Sequence, residues 1–209
     1  MSELDQILKN NEKWANSIQE KNPTFFSELA KAQSPEYLCI GCSDSRAPVE
    51  QIMGLQPGDI FVHRNVGNQV VPSDLNTLSV IQFAVEALKV KHIIVKGHYE
   101  CGGVKASVDG TKMGMMDNWL RHIRAVYVKH EQELDNITDM HKRYDRLCEL
   151  NVIEQVANVC NTSVVRQAWA AGQELSVHGL IYSLKEGRLH NLHVTANEKT
   201  ADLKIKLAF

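Results

Sequence analysis

Two short runs carry the residue types that do chemistry: Cys42-Ser43-Asp44-Ser45-Arg46 and His98-Tyr99-Glu100-Cys101-Gly102-Gly103. Two thiolates and an imidazole are ligands that zinc prefers, and His98-x-x-Cys101 lets one loop supply two of them. Three protein ligands, Cys42, His98 and Cys101, would leave a tetrahedral Zn2+ one open position, the arrangement of a catalytic site. Water bound there loses its proton near neutral pH, with a pKa of about 7 where the ligands are three neutral histidines. Two thiolates cancel the metal's charge, so a somewhat higher value is expected here. A zinc hydroxide of this kind is a nucleophile suited to a small electrophilic carbon such as that of carbon dioxide. Asp44 can then accept a hydrogen bond from the hydroxide and aim its lone pair. Arg46 can hold that carboxylate bidentately, ionised and away from the metal. If the pair opened, Asp44 could become the fourth ligand and shut the site.

These residues act together only if the fold brings the two runs to one place. Tyr37-Leu38-Cys39-Ile40 and His92-Ile93-Ile94-Val95 are brief apolar runs closed by Gly41 and Gly97, the pattern of buried strands. In a parallel sheet the clusters that follow them fall at the same carboxyl edge, where open α/β sheets bind ligands. Asp59–His63 is a further strand candidate. Ser73–Leu88 reads as one helix, with Leu75, Leu78, Val80, Ile81, Val85 and Leu88 forming its apolar face. From Asp117 to about Ala171 the chain is mostly helical, with a break near Asn161–Ser163. Leu175–Leu184 and Leu189–Thr195 form a hairpin pair across Lys185-Glu186-Gly187-Arg188. At the other end, Ser2 to about Glu20 is an amphipathic helix opened by a Ser2/Asp5 capping box, and a short second helix follows Pro23-Thr24. The expected fold is α/β: a mainly parallel sheet flanked by helices, with an antiparallel edge strand near the C-terminus and an N-terminal helical arm. One domain spans residues 1–209.

Composition narrows the classes of function. The chain has 209 residues, with 25 acidic against 23 basic and a formal charge of −2. That balance lacks the basic excess of a nucleic-acid protein and offers nothing to an anionic membrane surface. At 44% hydrophobic and 23% charged it is an ordinary globular chain. No apolar run approaches the roughly 18 residues that span a bilayer, so a soluble protein is expected. The opening MSELDQILKN has acidic Glu3 and Asp5 where an export signal would be positive and then apolar, which points to the cytoplasm. Five cysteines, an odd number, then make a disulfide framework improbable.

In combination the two runs strongly resemble the β-class carbonic anhydrases. His63-Arg64-Asn65-Val66-Gly67-Asn68 and Ser176-Val177-His178-Gly179-Leu180-Ile181-Tyr182 look like family segments too, so the resemblance covers nearly the whole chain. It implies one zinc per chain on Cys42, His98 and Cys101, with Asp44 and Arg46 as the catalytic dyad. It also implies reversible hydration of carbon dioxide to bicarbonate and a proton, in a homodimer or a dimer of dimers. The segment 1–35 would be an arm used in dimerisation, Gln33 would reach the neighbouring subunit's site, and the Gly102 N–H would contact bicarbonate. Some bacterial-type members bind an inhibitory bicarbonate in a second pocket resembling a Trp, Arg and Tyr set. Here Arg64 and Tyr182 are available, but Cys39 stands at the Trp position and supplies neither the indole donor nor its volume. Weak bicarbonate and pH cooperativity is the expectation.

Other readings of the same residues compete. Cys39-x-x-Cys42 is formally a redox pair, but Cys39 lies inside an apolar strand pattern rather than at an exposed helix N-terminus. A closed structural zinc site on Cys39, Cys42, His98 and Cys101 would make this a non-catalytic interaction protein. Strand alternation opposes it by turning Cys39 and Cys42 to different sides. An isolated Asp-x-Arg is ordinarily a loop salt bridge, and only the ligands beside it reverse that balance. Gly102-Gly103 is either a helix-entry turn or an anion cradle. Cys148 and Cys160 read as ordinary thiols, Trp14 as packing, and His178, His190 and His193 as structural or solvated. On the same scaffold, carbonyl sulfide or carbon disulfide is an alternative substrate.

Overall fold

The structure is a computed structural model that describes residues 2–200, and the chain divides after Ser34 into two compact units. The N-terminal unit holds α1 (Glu3–Lys21) and α2 (Phe25–Leu29). The capping box forms as its residue types require: Ser2 Oγ accepts the Asp5 N–H at 3.1 Å, and Asp5 Oδ2 accepts the Ser2 N–H at 2.7 Å. Leu4, Ile7, Leu8 and Trp14 line an exposed stripe of α1, which has no buried residue. Trp14 meets Phe26 of α2 edge to face, with ring centroids 5.7 Å apart.

The second unit is built on five strands: β1 (Tyr37–Cys42), β2 (Ile60–Asn65), β3 (His92–His98), β4 (Ser176–Ser183) and β5 (Arg188–Ala196), in the order β2-β1-β3-β4-β5. All neighbours are parallel except β4 and β5, the antiparallel edge pair. The central strands β1 and β3 are buried almost end to end, which explains their unbroken apolar runs. Around the sheet lie α3 (Val49–Met53), α4 (Leu75–Gln82), α5 (Gly102–Asp109), α6 (Met116–Lys129), α7 (Glu131–Asp135), α8 (Met140–Asn161) and α9 (Ser163–Ala170). Helix α8 packs on β3, β4 and β5. It comes so close that a Cβ on Gly97 would sit 2.5 Å from Val152 Cγ2. The break expected near 161–163 is Thr162, whose Oγ1 accepts the Val165 N–H and caps α9.

The expected single helix over Ser73–Leu88 needs correction. It starts after Asp74, whose side chain caps Asn76 N–H, and passes at Gln82 into a π-helical turn over Phe83–Ala87. Ile81 and Val85 of the expected face are buried, joined there by Ala84, whereas Leu75, assigned to the same face, is exposed. A residue inserted into the helical ladder leaves no mark on a 3.6-residue pattern. Strand β2 also begins one residue later than expected and runs two further, to Asn65.

Candidate metal centre

The ends of β1 and β3 meet as the parallel topology requires. Cys42 closes β1, His98 closes β3, and Cys101 stands at the N-cap of α5. Between the last two, Glu100 adopts φ +58°, a left-handed conformation uncommon for a side chain with a Cβ. That turn brings Cys101 back beside His98. Potential ligand atoms of Cys42, His98 and Cys101 lie within 4.8 Å of one another, all three residues are buried, and they are the one such cluster among the described residues.

The donor set fits a tetrahedral metal. The two Sγ atoms are 3.9 Å apart. Zn–S bonds of about 2.3 Å at a tetrahedral angle place two sulfurs about 3.8 Å apart. His98 Nδ1 lies 2.9 Å from the Tyr99 carbonyl, an acceptor only, so Nδ1 carries the proton and Nε2 presents its lone pair. Nε2 is buried with no hydrogen-bond partner among the described residues, an orphan that a metal would satisfy. The hydrogen bond between the two thiols lowers the pKa of Cys42, with the Gly67 N–H assisting at 3.4 Å from the sulfur, and raises that of Cys101. Cys39 is outside the cluster. Burial pushes its thiol up to about 12, the state of an inert core cysteine. Cys148 is likewise buried and pushed to about 12, and Cys160 is buried.

Asp44 and Arg46 sit on the loop that leaves β1. Arg46 grips the carboxylate with two parallel bonds, Nε to Oδ1 at 3.0 Å and Nη2 to Oδ2 at 2.8 Å, and its backbone N–H adds a third at 2.9 Å. The Arg46 hydrogen bonds hold the Asp44 carboxyl far below the ordinary carboxylate range, against some opposition from burial. Asp44 Oδ2 is 3.8 Å from His98 Nε2, so the carboxylate borders the space where the ligands converge. Gly102 is exposed and opens α5; Gln33 is exposed in the N-terminal unit.

Two supporting residues take roles beyond those the sequence implies. Arg64 of β2 donates from Nε to the Cys42 carbonyl at 2.8 Å and from Nη2 to the Asp44 carbonyl at 2.6 Å. It had been considered only for a second bicarbonate pocket, and its guanidinium instead braces the loop that carries the Asp–Arg pair. Gly67 lends its N–H to Cys42. A buried amide set fixes that turn: Asn151 Nδ2 and Gln69 Nε2 both donate to the Gly67 carbonyl, at 2.9 and 2.6 Å. The signal for Arg64 was a charged residue in a strand pattern, while no sequence pattern flags a backbone N–H.

Three side chains that could hold one metal ion at the carboxyl edge of a parallel sheet, with a clamped carboxylate beside them, are the arrangement of a metal-dependent enzyme. The family model described as carbonic anhydrase matches residues 37–189, and the chain belongs to the β-carbonic anhydrase family. It is 49% identical over 200 residues to a carbonic anhydrase of Emericella nidulans, covering 96% of this chain and 88% of that protein. Among solved structures, one of two tetrameric β-carbonic anhydrases from Sordaria macrospora is 42% identical with a TM-score of 0.89, over 92% of this chain and 98% of that one. The Coccomyxa β-carbonic anhydrase in complex with acetazolamide is 40% identical with a TM-score of 0.91, over 97% and 92%. The activity is the family's, the reversible hydration of carbon dioxide to bicarbonate and a proton.

Proposed function

We propose that this chain hydrates carbon dioxide at one Zn2+ held by Cys42, His98 and Cys101, with Asp44 and Arg46 as the pair that positions the nucleophile. The observation that carries this is the conjunction at one sheet edge of an orphaned His98 Nε2, two sulfurs at tetrahedral separation and a carboxylate held off by Arg46. Zinc, when bound, acidifies a water and so supplies a nucleophile near neutral pH. The rest is done by the protein. Asp44 stays ionised and accepts a hydrogen bond, which turns the nucleophile's free lone pair toward the carbon. Arg46 occupies both carboxylate oxygens and would keep Asp44 from serving as a fourth ligand, which supports an open resting site. The Gly102 N–H, at the positive end of α5, contacts the developing bicarbonate.

The same reading makes the protein a single functional domain in a homodimer or dimer of dimers. The N-terminal arm joins the subunits, and Gln33 completes the partner's site. The tetrameric Sordaria structure supports an oligomer. Five buried cysteines, with no disulfide among the described residues and two of them ligands, suit a reducing, cytoplasmic setting. With Cys39 as an inert core thiol and Arg64 bonded to loop carbonyls, bicarbonate inhibition is weak and non-cooperative. Asp44→Asn tests the pair. It should keep one zinc per chain and lose about 100-fold or more in kcat; retained turnover with retained zinc contradicts the role.

A further inference from the structure

Lys96 is the largest fully buried side chain of the described protein, at 0% exposure in the middle of the central strand β3. A buried ammonium is retained at a cost that an apolar side chain of equal length avoids, so its contacts identify its task. Its Nζ donates to the Ala47 carbonyl at 2.9 Å and lies 5.8 Å from the centre of the Tyr182 ring. To get there it crosses Gly41, its register partner on β1: a Cβ on Gly41 would sit 3.4 Å from Lys96 Cε. Ala47 ends the loop that carries Asp44 and Arg46, and its N–H turns back to the Asp44 carbonyl at 3.1 Å. Arg64 holds the carbonyls of Cys42 and Asp44 from the other neighbour of β1. Two cations, one from each flanking strand, thus grip three carbonyls at residues 42, 44 and 47, while the Asp44 carboxylate stays 3.8 Å from His98 Nε2.

We infer that Lys96 is a positioning residue, which ties the Asp44–Arg46 loop to the same strand that supplies the metal ligand His98. The spacing between carboxylate and ligands is then set by one rigid element, two residues apart along β3, rather than by the loop. The catalytic part of this inference rests on the role proposed for Asp44; the structural part does not.

Lys96→Met removes the donor and keeps the length. In zinc-loaded protein it should retain one zinc per chain and speed amide exchange at Arg46 and Ala47 by about tenfold or more, since the hydrogen bonds of both N–H groups depend on the closed loop. It should lower kcat by about tenfold with KM little changed, as misplacing a group that orients the reaction does. In the Asp44→Asn background the same change should cost nothing further. Unchanged exchange at full zinc occupancy overturns the inference, and so do losses that multiply in the double variant. If the unmutated, zinc-loaded protein fails to hydrate carbon dioxide, the catalytic reading falls while the exchange measurement still decides the clamp. Lys96→Gln keeps a neutral donor and serves with the same readouts if the methionine variant does not fold.

Discussion

At the scale of single residues, the chemistry is divided between atoms that could hold a metal and atoms that position them. Cys42 and Cys101 offer sulfur, and His98 offers Nε2 because the Tyr99 carbonyl has claimed the proton-bearing Nδ1. The Cys-x-x-Cys formed by Cys39 and Cys42 is divided by strand alternation, which leaves Cys39 in the core. Cys39→Ser should therefore leave zinc at one per chain by atomic absorption, whereas loss of zinc would restore the closed four-ligand site. Thiol alkylation separates the same classes. Cys39 and Cys148, both pushed to about 12, should resist modification in the folded protein, and Cys42 should become reactive once zinc is chelated. The cluster residues and the Asp44–Arg46 pair stand out in the sequence because each is a chemically distinctive side chain at or just past the end of a strand. Arg64 and Gly67 were not, because their work is done on or through backbone groups whose position only the fold defines.

At the scale of elements, the site depends on how closely α8 lies on the sheet beneath it. Gly97 precedes His98, and its missing side chain is what admits Val152. Gly97→Ala should destabilise the fold by about 1–3 kcal/mol through overpacking and displace His98 with it. A lowered Tm with reduced zinc affinity is the expected pair of results; a neutral substitution would contradict the packing account. Strand β2 and helix α4 are joined by a polar contact, His63 Nε2 with Thr77 Oγ1 at 3.0 Å. His178, on β4, bonds His92 and Thr195 at 3.1 Å each. Burial lowers the pKa of both His63 and His178. The unfolded chain, with ordinary histidines near 6.5, then binds more protons than the folded one below that pH. Their contribution to stability is complete above about pH 6.5 and declines as the pH falls toward the lowered folded values. Tm should drop from about pH 7 to about pH 5, and less steeply when both are replaced by glutamine; an equal slope in that variant would contradict the assignment. Strands were readable from apolar runs and the hairpin from its glycine turn. The π-turn at Phe83–Ala87 was not, since one extra residue leaves the hydrophobic pattern helical while rotating its face.

At the scale of the whole molecule, the chain is nearly neutral, with a formal charge of −2, and among the described residues no helix is long and apolar enough to cross a membrane. A neutral substrate needs no electrostatic steering, so this balance suits carbon dioxide. The stripe of Leu4, Ile7, Leu8 and Trp14 on α1 is exposed, which is what an arm that joins subunits would present. Light scattering should find a dimer or tetramer, and a fully active monomer would contradict the role proposed for Gln33. Charge and length bounded these matters from the sequence, but an interface is a property of two chains and leaves only an amphipathic pattern in one.

The most direct measurement is stopped-flow hydration of carbon dioxide by zinc-quantified protein, followed from about pH 6.5 to about pH 9. Turnover that rises with pH and scales with zinc up to one per chain is the predicted result. Full zinc occupancy without turnover at any pH in that range would contradict an open catalytic metal site built on Cys42, His98 and Cys101.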